Sequence, residues 1–399
     1  MPAVTTVESR FGNEGGFGLA NLPYGAFSAD GRPPRIGVAI GEFVLDLAPA
    51  LGDEVFTAPV LNPFLAQGRG AWAEARRRIT ELLSDDSADL APYLIPRQQV
   101  LMSLPIEVAD YADFYSSEHH ARNVGNMFRP GADPLPDNWK HLPAGYHGRA
   151  GTVVVSGTPV VRPCGQFRSG EAVVFGAEPR LDVEAEVGFV VGMPSRPGEP
   201  VTTAEFRDHV FGMVLLNDWS ARAIQAWEYA PLGPFLGKSF ATSISPWVVP
   251  FEALAAAWVP APKQDPVPLD YLTGRHGALD LRLEIVWNTT VVSRPPFRQM
   301  YWTPAQQLAH LTVNGAALRT GDLFASGTVS GPERDQRGSF LELSWNGTEQ
   351  IHLDDGGTRT FLSDGDTVSI RGRARGPAGS WIDLGEVVGT VVPSITSER

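Results

Sequence analysis

The chain has 399 residues, is 43% hydrophobic and carries a formal charge of −13, from 45 Asp and Glu against 32 Lys and Arg. That is enough apolar content for two domains or one large one, while the acidic balance works against binding a nucleic-acid phosphate backbone. A single cysteine, Cys164, excludes an intramolecular disulfide and a thiolate metal cluster, and no run reaches the about 18–20 apolar residues that span a bilayer.

The opening MPAVTTVESRFGNEGG has no basic stretch followed by an apolar one, so the expectation is a soluble, cytoplasmic protein with no membrane partner. GNEGGFG lacks the preceding strand and following helix of a dinucleotide loop and reads as a turn. Residues 35–47 read as two strands turning at Gly41. Residues 71–84 place Trp72, Ala75, Ile79 and Leu82 at helical spacing. These fit a first domain over 1–105, with Pro96 and Pro105 bracketing the passage into a second over 106–399. There, 152–161, 183–191, 210–217 and 279–287 concentrate β-branched residues between glycines and prolines, so strands dominate. The 260–275 segment, with four prolines, reads as a surface excursion. FLELSW and EQIHL flank Asn346-Gly347, a two-residue hairpin signal. The fold class expected is mainly β.

Chemistry concentrates in a few segments. LDVEAEVGFV places Glu184 and Glu186 on one face of a strand, where two adjacent carboxylates repel unless a cation neutralises them or one is protonated. DYADFYSSEHHARNVGNMFRP gathers Asp113, Tyr115, His119, His120, Arg122 and Arg129, a density that also fits an exposed polar loop. Asp218 follows the apolar run VFGMVLL, at the mouth of a strand or as a helix cap. After it Arg222, Gln225 and Tyr229 share a helical face that could hold a carboxylate or carbonyl, or simply be solvated. Lys238 sits among apolar neighbours, where a lone ammonium is costly without an anion. A cation held by Asp113, Glu184, Glu186 and Asp218 would have oxygen ligands only, which favours Ca2+ or Mg2+ over zinc; ion pairing of these acids with arginines is the plainer alternative. Gly327-Thr328 reads as a tight turn, and Glu342 as a partly buried acid on a strand, facing the same way as Ser344 and able to orient a histidine.

GFGLANLPYGAFS, DFYSSEHHARNVG, NWKHLPAGYHGR, VSGTPVVRPCGQ, LDVEAEVGFVVG, NDWSARAIQAWEYAPLGPFLGKSF and ASGTVSGPE, in this order, resemble the fumarylacetoacetase family over nearly the whole chain. The resemblance implies a small N-terminal SH3-like barrel, a C-terminal mixed β-roll holding the active site, and a homodimer. It implies metal-dependent hydrolysis of the carbon–carbon bond of 4-fumarylacetoacetate to fumarate and acetoacetate, the last step of tyrosine and phenylalanine catabolism. By position, Asp113, Glu184, Glu186 and Asp218 match the family's calcium ligands, and Asp218, Lys238 and Thr242 a magnesium site. His120 matches the base and Glu342 its orienter. Substrate contacts fall on Tyr115, Arg129, Gln225, Tyr229 and Thr328, with Arg222 and Lys238 close by. Ala241 departs from a position the family often fills with glycine. Related keto-acid enzymes, acylpyruvate hydrolases, decarboxylases or isomerases, share the E-x-E strand and are the nearest alternative. A non-catalytic calcium-binding β protein is the more distant one.

Overall fold

In the N-terminal part, β1 (Tyr24–Ser28), β2 (Arg35–Ile40) and β3 (Phe43–Asp46) form an antiparallel meander, with the β2–β3 turn at Gly41. Its φ of +53° is the left-handed backbone that glycine adopts without a Cβ clash. Leu94–Pro96 (β4) and Leu101–Ser103 (β5) complete a five-stranded sheet in the order β4-β3-β2-β1-β5. The computed structural model describes Phe11, residues 16–274 and residues 277–395; residues 12–15 of the glycine-rich run and residue 275 of the proline-rich excursion lie outside the described residues.

Helix α1 (Arg69–Ser84) starts two residues before the expected one and buries Trp72, Ala75, Ile79 and Leu83, leaving Leu82 half-exposed. Its Trp72 donates from Nε1 to the Leu65 carbonyl at 3.0 Å and meets Phe211 of the larger part edge to face, with ring centroids 5.3 Å apart. Such a pair contributes about 0.5–1.5 kcal/mol beyond its buried area. It helps pin the small unit to the large one through a shared apolar cluster.

The larger part is organised on an eight-stranded sheet. Its strands are β6 (Tyr111–Phe114), β7 (Gly145–His147), β8 (Val153–Val155), β9 (Ala185–Val191), β10 (Val210–Asp218), β11 (Thr242–Ile244), β12 (Val249–Pro250) and β13 (Leu323–Ala325). The order is β7-β6-β13-β9-β10-β11-β8, with β12 also paired to β10. β9 and β10 are buried along their whole length, which is why they read as near-continuous apolar runs. A second, five-stranded sheet of Thr290–Ser293, Leu281–Trp287, Thr367–Arg375, Trp381–Val392 and Val160–Val161 contributes to the same core cluster, in which Phe189 lies 5.2 Å from Phe324. The fold is mainly β with a smaller N-terminal β-rich part, as expected.

Register places the chemistry. Asp113 pairs with Ala325 across β6–β13, Glu186 with Leu216 across β9–β10, and Asp218 with Thr242 across β10–β11. The acids of the distant segments therefore collect at one end of adjacent strands. Helix α3 (Arg222–Glu228) brings Arg222 to Glu184 at that end, and helix α2 (Glu118–Phe128) carries His120.

One local expectation fails and two are refined. The 152–161 run is two short strands in different sheets, broken around Gly157 at φ +90°. The proline-rich excursion is partly tied down: Leu272 is buried, and Gln264 donates to the Tyr301 carbonyl at 2.8 Å. The Asn346-Gly347 hairpin is absent. Phe340–Leu343 is instead a short helix, α4, and Ile351–His352 pairs with Thr358–Arg359. Ser339-x-x-Glu342 is a capping-box spacing: the Ser339 hydroxyl accepts from Glu342 N at 3.3 Å and donates to Glu342 Oε2 at 2.9 Å. That local hydrogen bonding outweighs the strand-like alternation of the same residues.

Candidate active site

Asp113, Glu184, Glu186 and Asp218 each offer a carboxylate oxygen within 4.8 Å of the others, and all four are buried. Two buried cations brace the group. Lys238 Nζ lies 2.6 Å from Glu184 Oε2 and 2.6 Å from Asp218 Oδ2, and Arg222 Nη2 lies 2.7 Å from Glu184 Oε1. Arg222 Nε also donates to the buried Asp182 at 2.8 Å. Burial alone would lower Lys238, but Asp218 and Glu184 reverse this and hold its ammonium above the usual lysine value. Burial would likewise lower Arg222, and Asp182 and Glu184 raise it instead. Glu184 is the mirror case: burial pushes it up, but Lys238 and Arg222 bring it well below the ordinary glutamate range.

Asp113 and Glu186 lack such partners. Burial, reinforced by the neighbouring carboxylates, pushes both well above their ordinary values. Asp113 Oδ1 and Glu186 Oε1 are buried with no hydrogen-bond partner, and Glu186 Oε2 accepts only a 3.1 Å bond from Gly327 N. With Asp182 counted, five buried carboxylates face the two cations Lys238 and Arg222. Unpaired oxygen acceptors on converging acids are the donor set of a hard divalent cation, so these residues fit one. Thr242 Oγ1 stands 3.4 Å from Asp218 Oδ1, with Ala241 buried beside it, so the extra methyl leaves the threonine next to the cluster.

His120 lies on the first turn of α2, where the Ser117 hydroxyl accepts from His120 N at 3.3 Å. His120 Nδ1 is 2.7 Å from Glu342 Oε2. Glu342 also accepts from Ser330 and Ser339 at 2.9 Å each and from Asn123 at 2.8 Å. Burial raises the Glu342 carboxyl, but His120 and these donors more than offset it and hold it below its ordinary value. An ionised Glu342 only accepts, so the proton of this bond sits on Nδ1 and Nε2 is left with its lone pair as an acceptor. His119, its neighbour, is half-exposed, and burial lowers its imidazole.

The expected substrate contacts divide into inner and outer positions. Tyr115 meets the His120 ring edge to face at 5.3 Å, and burial with the Glu342 and Glu184 charges pushes its phenol upward. Thr328 Oγ1 is buried without a partner, and Gln225 Oε1 accepts from Arg222 Nη1 at 3.1 Å. Arg129 is exposed at the end of α2, bonded to the Pro134 carbonyl, and Tyr229 is 57% exposed just past α3, so neither reaches the buried cluster in this conformation. Tyr146 was not singled out by sequence reasoning. Its hydroxyl lies 3.0 Å from Asp113 Oδ2 and 2.8 Å from Asp218 Oδ2, bridging two of the acids. Asp182, at the same two-residue spacing as Glu184 and Glu186, was missed as well, although that spacing pointed to it.

Residues 20–105 match the family model "Fumarylacetoacetase N-terminal", and 110–392 match "Fumarylacetoacetate (FAA) hydrolase C-terminal". Fumarylacetoacetase of Rattus norvegicus is 49% identical over 95% of this chain and 97% of its own; that of Arabidopsis thaliana is 44% identical over 96% and 97%. Among solved structures, a fumarylacetoacetate hydrolase from Exiguobacterium antarcticum superposes with a TM-score of 0.56 at 18% identity, covering 93% of this chain and 99% of that one. A maleylpyruvate hydrolase from a Sphingobium species, solved with manganese and pyruvate, gives 0.55 at 16% identity over 94% and 100%. These two speak to the fold alone, whereas the family models and the close relatives extend over nearly all of the sequence: the chain belongs to the fumarylacetoacetase family.

Proposed function

We propose that this protein hydrolyses 4-fumarylacetoacetate to fumarate and acetoacetate, in tyrosine and phenylalanine breakdown. It is a hydrolase acting on carbon–carbon bonds in ketonic substances. The observation that carries the reading is the pairing, within one buried site, of the His120–Glu342 dyad with the carboxylate cluster braced by Lys238 and Arg222.

Cleavage of a β-diketone needs a nucleophile at one carbonyl and stabilisation of the electrons left on the departing carbon. His120 Nε2 takes a proton from water, a general-base contribution of about 10²- to 10⁴-fold. Glu342 holds the tautomer and faces the imidazolium that forms, as its 2.7 Å bond to Nδ1 requires. The hydroxide adds to the carbonyl beside the fumaryl group, the carbon–carbon bond breaks with its electron pair passing to acetoacetate as the enolate, and the His120 imidazolium returns its proton to the enolate carbon, which completes acetoacetate and frees the base. Lys238, Arg222 and the Gln225 amide, whose oxygen is already held by Arg222, supply preset positive charge to the oxyanion and enolate. Tyr115 and Thr328 contact the substrate from within, and Arg129 and Tyr229 meet its carboxylates from the rim. Asp113, Glu184, Glu186 and Asp218 would hold Ca2+, with Asp218, Lys238 and Thr242 around a Mg2+ site. A bound divalent ion supplies Lewis-acid polarisation of substrate oxygens.

The wider reading is of two domains, 1–105 and 106–399, in a cytoplasmic homodimer that binds neither nucleic acid nor membrane. Among the described residues no helix is long and apolar enough to cross a membrane. The direct test incubates purified protein with fumarylacetoacetate and Ca2+ or Mg2+, with a chelator control, and identifies both products. Fumarate and acetoacetate are expected; release of carbon dioxide or an isomerised substrate would point to the related keto-acid enzymes instead.

A further inference from the structure

We infer that Asp182 is a positioning residue that locks the oxyanion-stabilising arginine and the base-orienting glutamate into one register. The inference rests on the reading of the site given above. Asp182 is fully buried, and its carboxylate is saturated by four donors. Oδ2 accepts from Arg222 Nε at 2.8 Å and from Leu341 N at 2.9 Å. Oδ1 accepts from Phe340 N at 2.8 Å and from Val183 N at 2.7 Å. A carboxylate offers about four lone-pair positions, so none is left for solvent or substrate.

What those donors belong to gives the residue its role. Phe340 and Leu341 are the first two residues of α4, whose opening N–H groups have no partner within the helix. Asp182 supplies that partner from a strand 158 residues away in sequence. The residue after Leu341 is Glu342, which carries the 2.7 Å bond to His120 Nδ1. On the other side, Arg222 is gripped at Nε by Asp182, which leaves Nη2 facing Glu184 and Nη1 holding the Gln225 amide. One carboxylate therefore fixes two groups that act on opposite ends of the same proposed step: Arg222 where negative charge develops, and Glu342 behind the base. Removing it orphans three backbone N–H groups and a guanidinium N–H in a site that water does not reach, so both groups must re-seat. A buried ion pair with a purely structural role would bind Arg222 without also setting the helix that carries Glu342.

The test compares wild type with Asp182→Asn, which keeps the shape but places an amide NH2 among donors. Steady-state kinetics on fumarylacetoacetate are expected to show kcat lowered about 10- to 100-fold, the range for residues that orient a site's direct ligands, with KM changed less than about threefold. The second readout is the His120 Nδ1 proton resonance, assigned by its loss in His120→Ala, which is expected to shift as Glu342 moves. Where Asp182→Asn does not fold, Asp182→Glu, which keeps the charge but displaces the carboxylate by one methylene, gives the same two readouts. A kcat within twofold of wild type, or an unmoved resonance in a folded variant, would overturn the coupling. Failure of wild type to cleave fumarylacetoacetate would refute the proposed reaction instead, and the resonance comparison would still decide the role of Asp182.

Discussion

Replacing Lys238 by Met keeps most of the stem volume and removes the ammonium that sits 2.6 Å from both Glu184 Oε2 and Asp218 Oδ2. At an effective dielectric of about 20, each contact carries roughly 6 kcal/mol of attraction, most of it offset by desolvation of a lysine only 7% exposed. What remains when one partner is deleted is the cost of two buried carboxylates left without it, about 3–5 kcal/mol, or roughly two to three and a half powers of ten in the folding equilibrium. The folded lysine titrates above its unfolded value of about 10.4, so its contribution is complete below that pH and is lost only as pH rises through the folded pKa. Measurement at pH 7–8 thus captures all of it. Urea unfolding of chelator-treated wild type and Lys238→Met, followed by tryptophan fluorescence, should differ by that amount. Added Ca2+ should narrow the gap, because a cation among the same acids replaces the missing charge. A gap below about 1 kcal/mol in the metal-free proteins would mean that Lys238 does not brace the cluster.

Glu342→Gln retains a hydrogen-bonding oxygen but exchanges a charge-assisted bond to His120 for a neutral one, and kcat should fall at least about tenfold with metal content unchanged; equal kcat values would remove Glu342 from the base's support. Asp113 and Glu186 are raised by burial and by their neighbours, so in the metal-free fold they hold protons at pH values where the unfolded chain has released them. Their contribution to stability declines as pH climbs from about 4 through their folded values. A bound cation must displace those protons, so affinity for Ca2+ should rise with pH and binding should release protons. Identical calorimetric heats in buffers of different ionisation enthalpy would count against this. Glu184→Gln with Glu186→Gln should empty the site by elemental analysis, and undiminished metal would reject both as ligands. His120→Ala should abolish turnover while leaving metal bound; near wild-type activity would dismiss it as the base.

The acid cluster was legible because it rests on a short-range rule: residues two apart on a strand share a face, and an apolar run ending in an acid marks where the chain leaves the core. Glu184, Glu186 and Asp218 follow from that rule, and the register of β9 on β10 and of β6 on β13 carries Asp113 to them. The other half of the site was legible in part: Glu342 read as an acid able to orient a histidine, and its partnership with His120 came from the resemblance. Glu342 was assigned to a strand because Leu341, Leu343 and Trp345 alternate with polar residues, yet Ser339 three positions earlier caps a helical turn and turns the carboxylate toward His120. Local capping and strand alternation compete over the same few residues, and a third segment reinforces the capped turn: Asp182 accepts the N–H groups that a strand would have sent to a neighbour. The same reasoning explains Tyr146, whose hydroxyl bridges Asp113 and Asp218 through the pairing of β6 with β7, a contact that no periodicity within either strand encodes. Patterns along the chain thus disclose which groups are too costly to bury alone, whereas the partners that make their burial tolerable are set by pairings between segments.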